Sequence, residues 1–194
     1  KMIGTCRGTP VNVDIEVAAS RGIPIFHTPA RHAEAVADLT LCLMLMILRH
    51  VHSAIAWVKS DRPARPDANE FITMYDAMMG IELHGRKVGL IGFGAIGQRV
   101  ARRVQAFGAE VIAYDPHVSA SVLQASGVRG EELRAVLQES DILSLHVPDL
   151  PETKNLLGPD EIAHMKPGAY FVNTARAASV DADALYAALT SGHL

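Results

Sequence analysis

Cysteine is scarce in this chain of 194 residues. Cys6 and Cys42 are the only two, far apart and in no metal or redox spacing. That excludes a disulfide framework and leaves a reduced, cytoplasmic protein as the expectation. Positive charge is not in excess either. Lysine and arginine number 18 against 21 acidic residues, a net charge of −3, so nothing favours nucleic acid or an anionic membrane as a partner. The apolar run at 39–48 stops at Arg49 and His50, too short to cross a bilayer. No secretory leader opens these residues. The histidines lack metal-ligand spacing, and neither a G-x-S-x-G elbow nor a Walker glycine–lysine loop occurs. Disorder is excluded by an apolar fraction of 49%. The length suits one domain with a real core, or one domain and part of another.

What is present centres on residues 87–115, KVGLIGFGAIGQRVARRVQAFGAEVIAYD. Residues 87–91 form a short β-branched apolar run, long enough for a buried strand. Gly92, Gly94 and Gly97 follow in G-x-G-x-x-G spacing. Ile96, Val100, Val104 and Phe107 then recur at helical period, with Arg99, Arg102, Arg103 and Gln105 on the opposite face. Gly108 stands where a helix terminates, and 109–114 is a second apolar run ending in Asp115. Each part has a task. Gly92 permits the turn, Gly94 lets a pyrophosphate approach the backbone, and Gly97 lets helix and sheet pack closely. The helix start offers unpaired N–H groups and a positive dipole end to phosphate. Asp115 would accept hydrogen bonds from the ribose hydroxyls of NAD and repel the extra phosphate of NADP. Strand, helix and acid all fall where this motif requires them, so the cofactor expected is NAD.

Around this centre the chain alternates strand and helix. Residues 2–6 and 23–27 read as strands flanking a helix at 14–20 with Ile15, Ala18 and Ala19 apolar. One long helix is expected over 33–59, its middle apolar on all sides and therefore buried between layers or subunits. Met44 and Met46 read as gap-filling core. Residues 60–80 lack a clear period, with Pro63 and Pro66 breaking any helix; they form either an arm reaching another surface or an ordinary loop. Beyond Asp115, helices are expected at 119–125, 131–139, 159–165 and 181–191, the last with Leu185, Ala188 and Leu189 inward. Strands are expected at 141–147 and 169–173, with a very short edge strand or turn at Val128. The pattern predicts an α/β fold with a doubly wound, Rossmann-type parallel sheet covered on both faces.

Ligands on such sheets sit at the carboxyl ends of the strands. That rim gathers Asp115, His146, Val147, Pro148, Thr174, Ala175 and Arg176. Arg176 either grips a substrate carboxylate and polarises a keto oxygen, or caps the next turn. His146 could be a general acid, but a strand-end histidine bonded to backbone is the preferred reading.

Taken together, the segments IGTCRGTPVNVDIEVAASRGIPIFHTPARHAEAVADLTLCLML, GIELHGRKVGLIGFGAIGQRVA, YDPH, LHVPDLPETKNLL and VNTARAASVDADAL resemble the D-isomer-specific 2-hydroxyacid dehydrogenases, the superfamily that includes phosphoglycerate dehydrogenase. The resemblance covers essentially the whole chain. It implies two domains. Residues 1–31 would be part of a flavodoxin-like catalytic domain. Residues 32–194 would be the NAD-binding domain, led by an interdomain helix and forming a homodimer interface. It implies cofactor contacts at Gly8, Ala95, Ile96, Asp115, Val147, Pro148, Thr174, Ala175 and Arg176, with the glycines above. It implies that Arg176 binds the carboxylate and keto groups of a 2-hydroxy or 2-keto acid, and that the Arg7-Gly8-Thr9 loop holds the carboxylate. Arg7 and Pro10 depart from the family's small glycine-rich loop. Arg7 either adds positive charge for an acidic substrate or faces solvent. His27 departs from the asparagine often found before Thr-Pro. The family's catalytic histidine and its carboxylate partner are expected outside these residues, which read as a fragment. The alternative on the same fold is a dinucleotide-sensing, corepressor-like protein without turnover.

Overall fold

The computed structural model describes residues 1–60 and 67–194. Two parallel sheets carry the chain. β1 (Ile3–Thr5) and β2 (Ile25–His27) pair in parallel across α1 (Ile15–Ser20). The second sheet contains β3 (Lys87–Ile91), β4 (Glu110–Tyr114), β5 (Arg129–Gly130), β6 (Ile142–Leu145) and β7 (Tyr170–Asn173). Its spatial order is β5-β4-β3-β6-β7, all parallel. Counted from β3 this is the order 3-2-1-4-5, in which strand order reverses between β3 and β6 and leaves a crevice at the carboxyl ends.

The central strands are buried on both faces, so their side chains divide between two cores. Val88, Leu90, Val111, Ala113 and Ile142 face α2 (Ala33–Leu48) and α5 (Ala95–Ala106), against Met44, Leu48, Val100 and Val104. Ile91, Ile112, Leu143 and Leu145 face the opposite layer, against Val136 and Leu137 of α7 (Leu133–Glu139), Ile162 of α8 (Pro159–Ala163) and Ala188 of α9 (Ala182–Ser191). α6 (Ala120–Ala125) packs beside β5. An isolated parallel bridge joins Leu157 to Val180.

Several expectations are corrected. The long helix is two: α2 ends at Leu48, and α3 (Val51–Lys59) leaves it at 69°. His50 adopts a left-handed conformation (φ 49°), and the Leu48 carbonyl accepts from Ile81 N–H at 2.9 Å, so the returning chain occupies the path a straight helix would take. No single helix among the described residues is long and apolar enough to cross a membrane. The layers of this chain bury one side of the middle of α2. Ala37, Thr40, Met44 and Leu48 are buried, whereas Leu39 and Cys42 are exposed.

The stretch expected to lack period contains α4 (Ala68–Met78), started by an Asp67 side chain that accepts from Asn69 and Glu70 N–H. Pro63 and Pro66 lie outside the described residues. Leu189, expected inward on α9, is exposed, as is Phe107 at the end of the apolar face of α5. The arginine face of α5 is not simply solvated. Arg103 pairs with Glu34 and Asp38 at 2.8 and 2.7 Å, and Arg99 pairs with Glu34, stapling α5 to α2. Arg103 first, then Arg99, holds the Glu34 carboxyl below its ordinary range.

Candidate cofactor and substrate site

The turn from β3 into α5 is built from glycines that have no room for a side chain. Gly92 takes φ +94°, and a Cβ there would sit 2.7 Å from the His146 carbonyl oxygen. A Cβ on Gly97 would overlap the Gly92 carbonyl. Gly94 is the reverse case. It is the N-cap of α5, no side chain among the described residues caps that end, and no described atom lies near the place of its missing Cβ. The first-turn N–H groups, including those of Ala95 and Ile96, therefore have no side-chain acceptor, and the helix dipole adds positive potential there.

The loop is held by its neighbours. The Phe93 side chain is fully buried. Its N–H donates to Asp115 Oδ2 at 2.8 Å, and its carbonyl accepts from Gln98 Nε2 at 3.1 Å. Asp115 Oδ1 also accepts from His117 N–H at 2.9 Å. Asp115 thus lies against the glycine loop, with lone pairs left over for a diol. A diphosphate fits this arrangement on three counts: open space at Gly94, an uncapped helix start, and a carboxylate fixed at the end of the adjacent strand.

On the other side of the switch point, β6 runs into His146, Val147 and Pro148. His146 N–H donates to the Ile91 carbonyl at 2.8 Å, tying this end to β3. Its ring meets a side chain and not the backbone expected. Nε2 lies 3.0 Å from Ser144 Oγ, and Nδ1 is buried with no hydrogen-bond partner among the described residues. Burial pushes the imidazole pKa down to about 4, so it is neutral at pH 7 and a poor store for a proton.

At the end of β7, Asn173 shapes the next residues. Its Oδ1 accepts from Ala175 N–H at 2.8 Å, and its Nδ2 donates to the Arg176 carbonyl at 3.1 Å. Arg176 is exposed, and Nη1 donates to the Ala175 carbonyl at 3.2 Å. Its remaining donors have no partner among the described residues and form a planar fork on the rim. Thr174 is half-buried and bonds to Thr40 of α2.

The structure brings Gly92, Gly94, Ala95, Ile96, Gly97, Asp115, Val147, Pro148, Thr174, Ala175 and Arg176 to the carboxyl edge of one sheet. Arg7, Gly8 and Thr9 lie in the other unit. Their loop is held by Thr28 N–H donating to the Arg7 carbonyl at 3.0 Å and by the His27 ring, 2.9 Å from the Gly8 carbonyl. Pairing with Gly8 explains why a histidine can stand at position 27. Thr40 and Gln98 escaped the sequence reading. Thr40 was legible as a hydroxyl within the otherwise apolar run of α2 at 39–48; Gln98 had no distinguishing signal among the polar residues of α5.

Residues 41–194 match the family described as D-isomer specific 2-hydroxyacid dehydrogenase, NAD binding domain. The chain is 39% identical to the hydroxypyruvate reductase of Thermotoga maritima, over 93% of this chain and 55% of that protein. It is 36% identical to the D-3-phosphoglycerate dehydrogenase of Methanocaldococcus jannaschii, over 100% of this chain and 35% of that one. Among solved structures, the D-lactate dehydrogenase of Aquifex aeolicus complexed with NAD and lactic acid superposes with a TM-score of 0.81 at 32% identity, covering 100% of this chain and 55% of that one. The chain thus spans about a third to just over half of the relatives it matches. Sequence, strand order and loop geometry agree: this chain belongs to the D-isomer specific 2-hydroxyacid dehydrogenase family, over its NAD binding domain.

Proposed function

We propose that this chain supplies the NAD site and the substrate-gripping arginine of an enzyme that interconverts a D-2-hydroxy acid and its 2-keto acid. The observation that carries this reading is the open, uncapped start of α5 at Gly94, with Asp115 fixed beside it through Phe93 N–H. Bound there, the nicotinamide cofactor supplies or accepts the hydride. The first-turn amides of α5 hold the diphosphate, Asp115 accepts from the ribose hydroxyls, and Val147, Pro148, Thr174 and Ala175 line the nicotinamide end. Arg176 holds the substrate carboxylate bidentately and stabilises negative charge developing on the keto oxygen.

His146 does not serve as the acid in this proposal, because burial keeps it neutral. The proton is assigned, as the family resemblance implies, to a histidine–carboxylate pair outside these residues. Residues 1–31 are assigned to the catalytic domain, with Arg7, Gly8 and Thr9 holding the substrate carboxylate. Residues 32–194 are assigned to the nucleotide domain. A second copy is the proposed partner for α2–α4, where Leu39, Ile55, Val58, Phe71, Ile72 and Met79 are exposed. The exposed free thiols of Cys6 and Cys42 suit the reducing cytoplasm.

The test is titration of the chain with NADH and NADPH, read by cofactor fluorescence, alongside Asp115→Ala. The wild type should favour NADH. The variant should bind NADH about tenfold or more weakly and lose discrimination against NADPH. Unchanged NADH affinity would overturn the role given to Asp115. Reduction of a 2-keto acid by the full protein separates an enzyme from a sensor on the same fold.

A further inference from the structure

We infer that Thr40, buried inside α2, fixes the direction of the Thr174 hydroxyl so that it offers lone pairs, and no proton, to the nicotinamide end of the cofactor. This rests on the NAD reading above and assigns a positioning residue and a source of selectivity within it.

The argument is a count of protons. Thr40 is fully buried, and its Oγ1 makes two short oxygen–oxygen contacts, 2.8 Å to the Val36 carbonyl and 2.9 Å to Thr174 Oγ1. Each contact at such a distance needs a proton between its oxygens. The carbonyl has none to give, so the Thr40 proton lies toward Val36. The contact with Thr174 must then be filled by the Thr174 proton. A hydroxyl carries one proton, and that of Thr174 is thereby spent. What Thr174 retains for a ligand is acceptor capacity.

The position makes this consequential. Thr174 follows the last residue of β7, and His146 follows the last residue of β6. Because Leu145 pairs with Asn173, His146 and Thr174 are brought to neighbouring places on the carboxyl edge. Among the described residues Thr174 makes no other side-chain hydrogen bond. The nicotinamide carboxamide carries both kinds of group, an NH2 donor and a carbonyl acceptor. An acceptor-only hydroxyl recognises the NH2 and turns away a carbonyl. Thr40, which need not touch the cofactor, selects between the two through Thr174.

The experiment compares binding of NAD with its 3-acetylpyridine analogue, in which a methyl group replaces the NH2, by calorimetry on the chain. The wild type should favour NAD by about tenfold, the effect of one hydrogen bond and the acceptor left unpaired without it. Thr40→Val keeps the volume and frees the Thr174 proton to face the ligand. The preference should fall to about twofold or less. Thr40→Ser restores the hydroxyl and should restore the preference. Thr174→Val, with the Thr40–Val36 bond intact, should abolish it. A purely structural Thr40 would weaken both cofactors alike and leave their ratio unchanged, and that result overturns the inference. So does Thr40→Ser behaving as Thr40→Val. Failure of the wild type to bind either cofactor removes the NAD reading and this one with it. Tight binding with an unmoved ratio removes this one alone.

Discussion

The units β1–α1–β2 and β3–α5–β4 share one connectivity, two parallel strands joined by a helix, and differ where the helix begins. At α1 the Asp14 side chain accepts from Val17 N–H at 2.9 Å, so the helix start is already occupied by a carboxylate. At α5 the corresponding position is Gly94, with no side chain and open space before it. The helices also differ in cover. α1 buries Ala18 alone, whereas α5 buries Gly97, Val100, Ala101 and Val104. The same motif thus serves two ends. One helix closes its own amides, and the other leaves them for an anion and draws its stability from packing. A capping side chain decides which, more than the strand–helix–strand geometry does.

Four changes break or sharpen that contrast. The largest effect is expected from Gly97→Ala, which drives a methyl group into the Gly92 carbonyl and separates α5 from its strand. Unfolding in urea should show a loss of about 3 kcal/mol, with NADH binding lost as well. Next comes acid. In the unfolded chain His146 takes a proton near pH 6.5, but in the folded chain only near pH 4, so folding stability falls as pH drops through that window. The loss approaches about 3 kcal/mol and should shrink in His146→Asn; urea midpoints at pH 7, 5.5 and 4.5 for both proteins measure it. Third, Gly94→Asp makes α5 begin as α1 does. Stability should rise by a few tenths of a kcal/mol while NADH affinity, read by fluorescence, falls about a hundredfold. The smallest effect belongs to Asp14→Ala, costing about 1 kcal/mol by thermal unfolding with NADH affinity unchanged.

Much of the second unit was legible in the sequence because its signals are local. Glycine spacing and the apolar runs at β3 and β4 are read within a few residues of where they stand, and Asp115 was legible from its fixed distance after the glycines, although its side chain reaches back to Phe93. The ends of β6 and β7 were legible for the same reason. The long-range features were not. The break after Leu48 is set by a chain segment returning from Ile81, and nothing within residues 33–59 announces it except that Arg49 and His50 end the apolar run. The pairing of Arg99 and Arg103 with Glu34 and Asp38 joins positions some 65 apart, and helical periodicity placed those arginines on a polar face without saying what that face meets. The one-sided cover of α2 within this chain was illegible for another reason: composition records how apolar a helix is, and only the other elements decide which side of it they cover.

The clasp between Leu48 and Ile81 carries a consequence for how this fold can change. A methyl group at Gly80 would collide with the Leu48 carbonyl, so exit and re-entry of the chain touch at one point. α3 and α4, which lie between them in sequence, belong to a detour that begins and finishes in the same place. Such a detour can be lengthened, shortened or rewritten while the path from α2 into β3 keeps its course, leaving the exposed apolar faces of α3 and α4 free to vary independently of the nucleotide crevice.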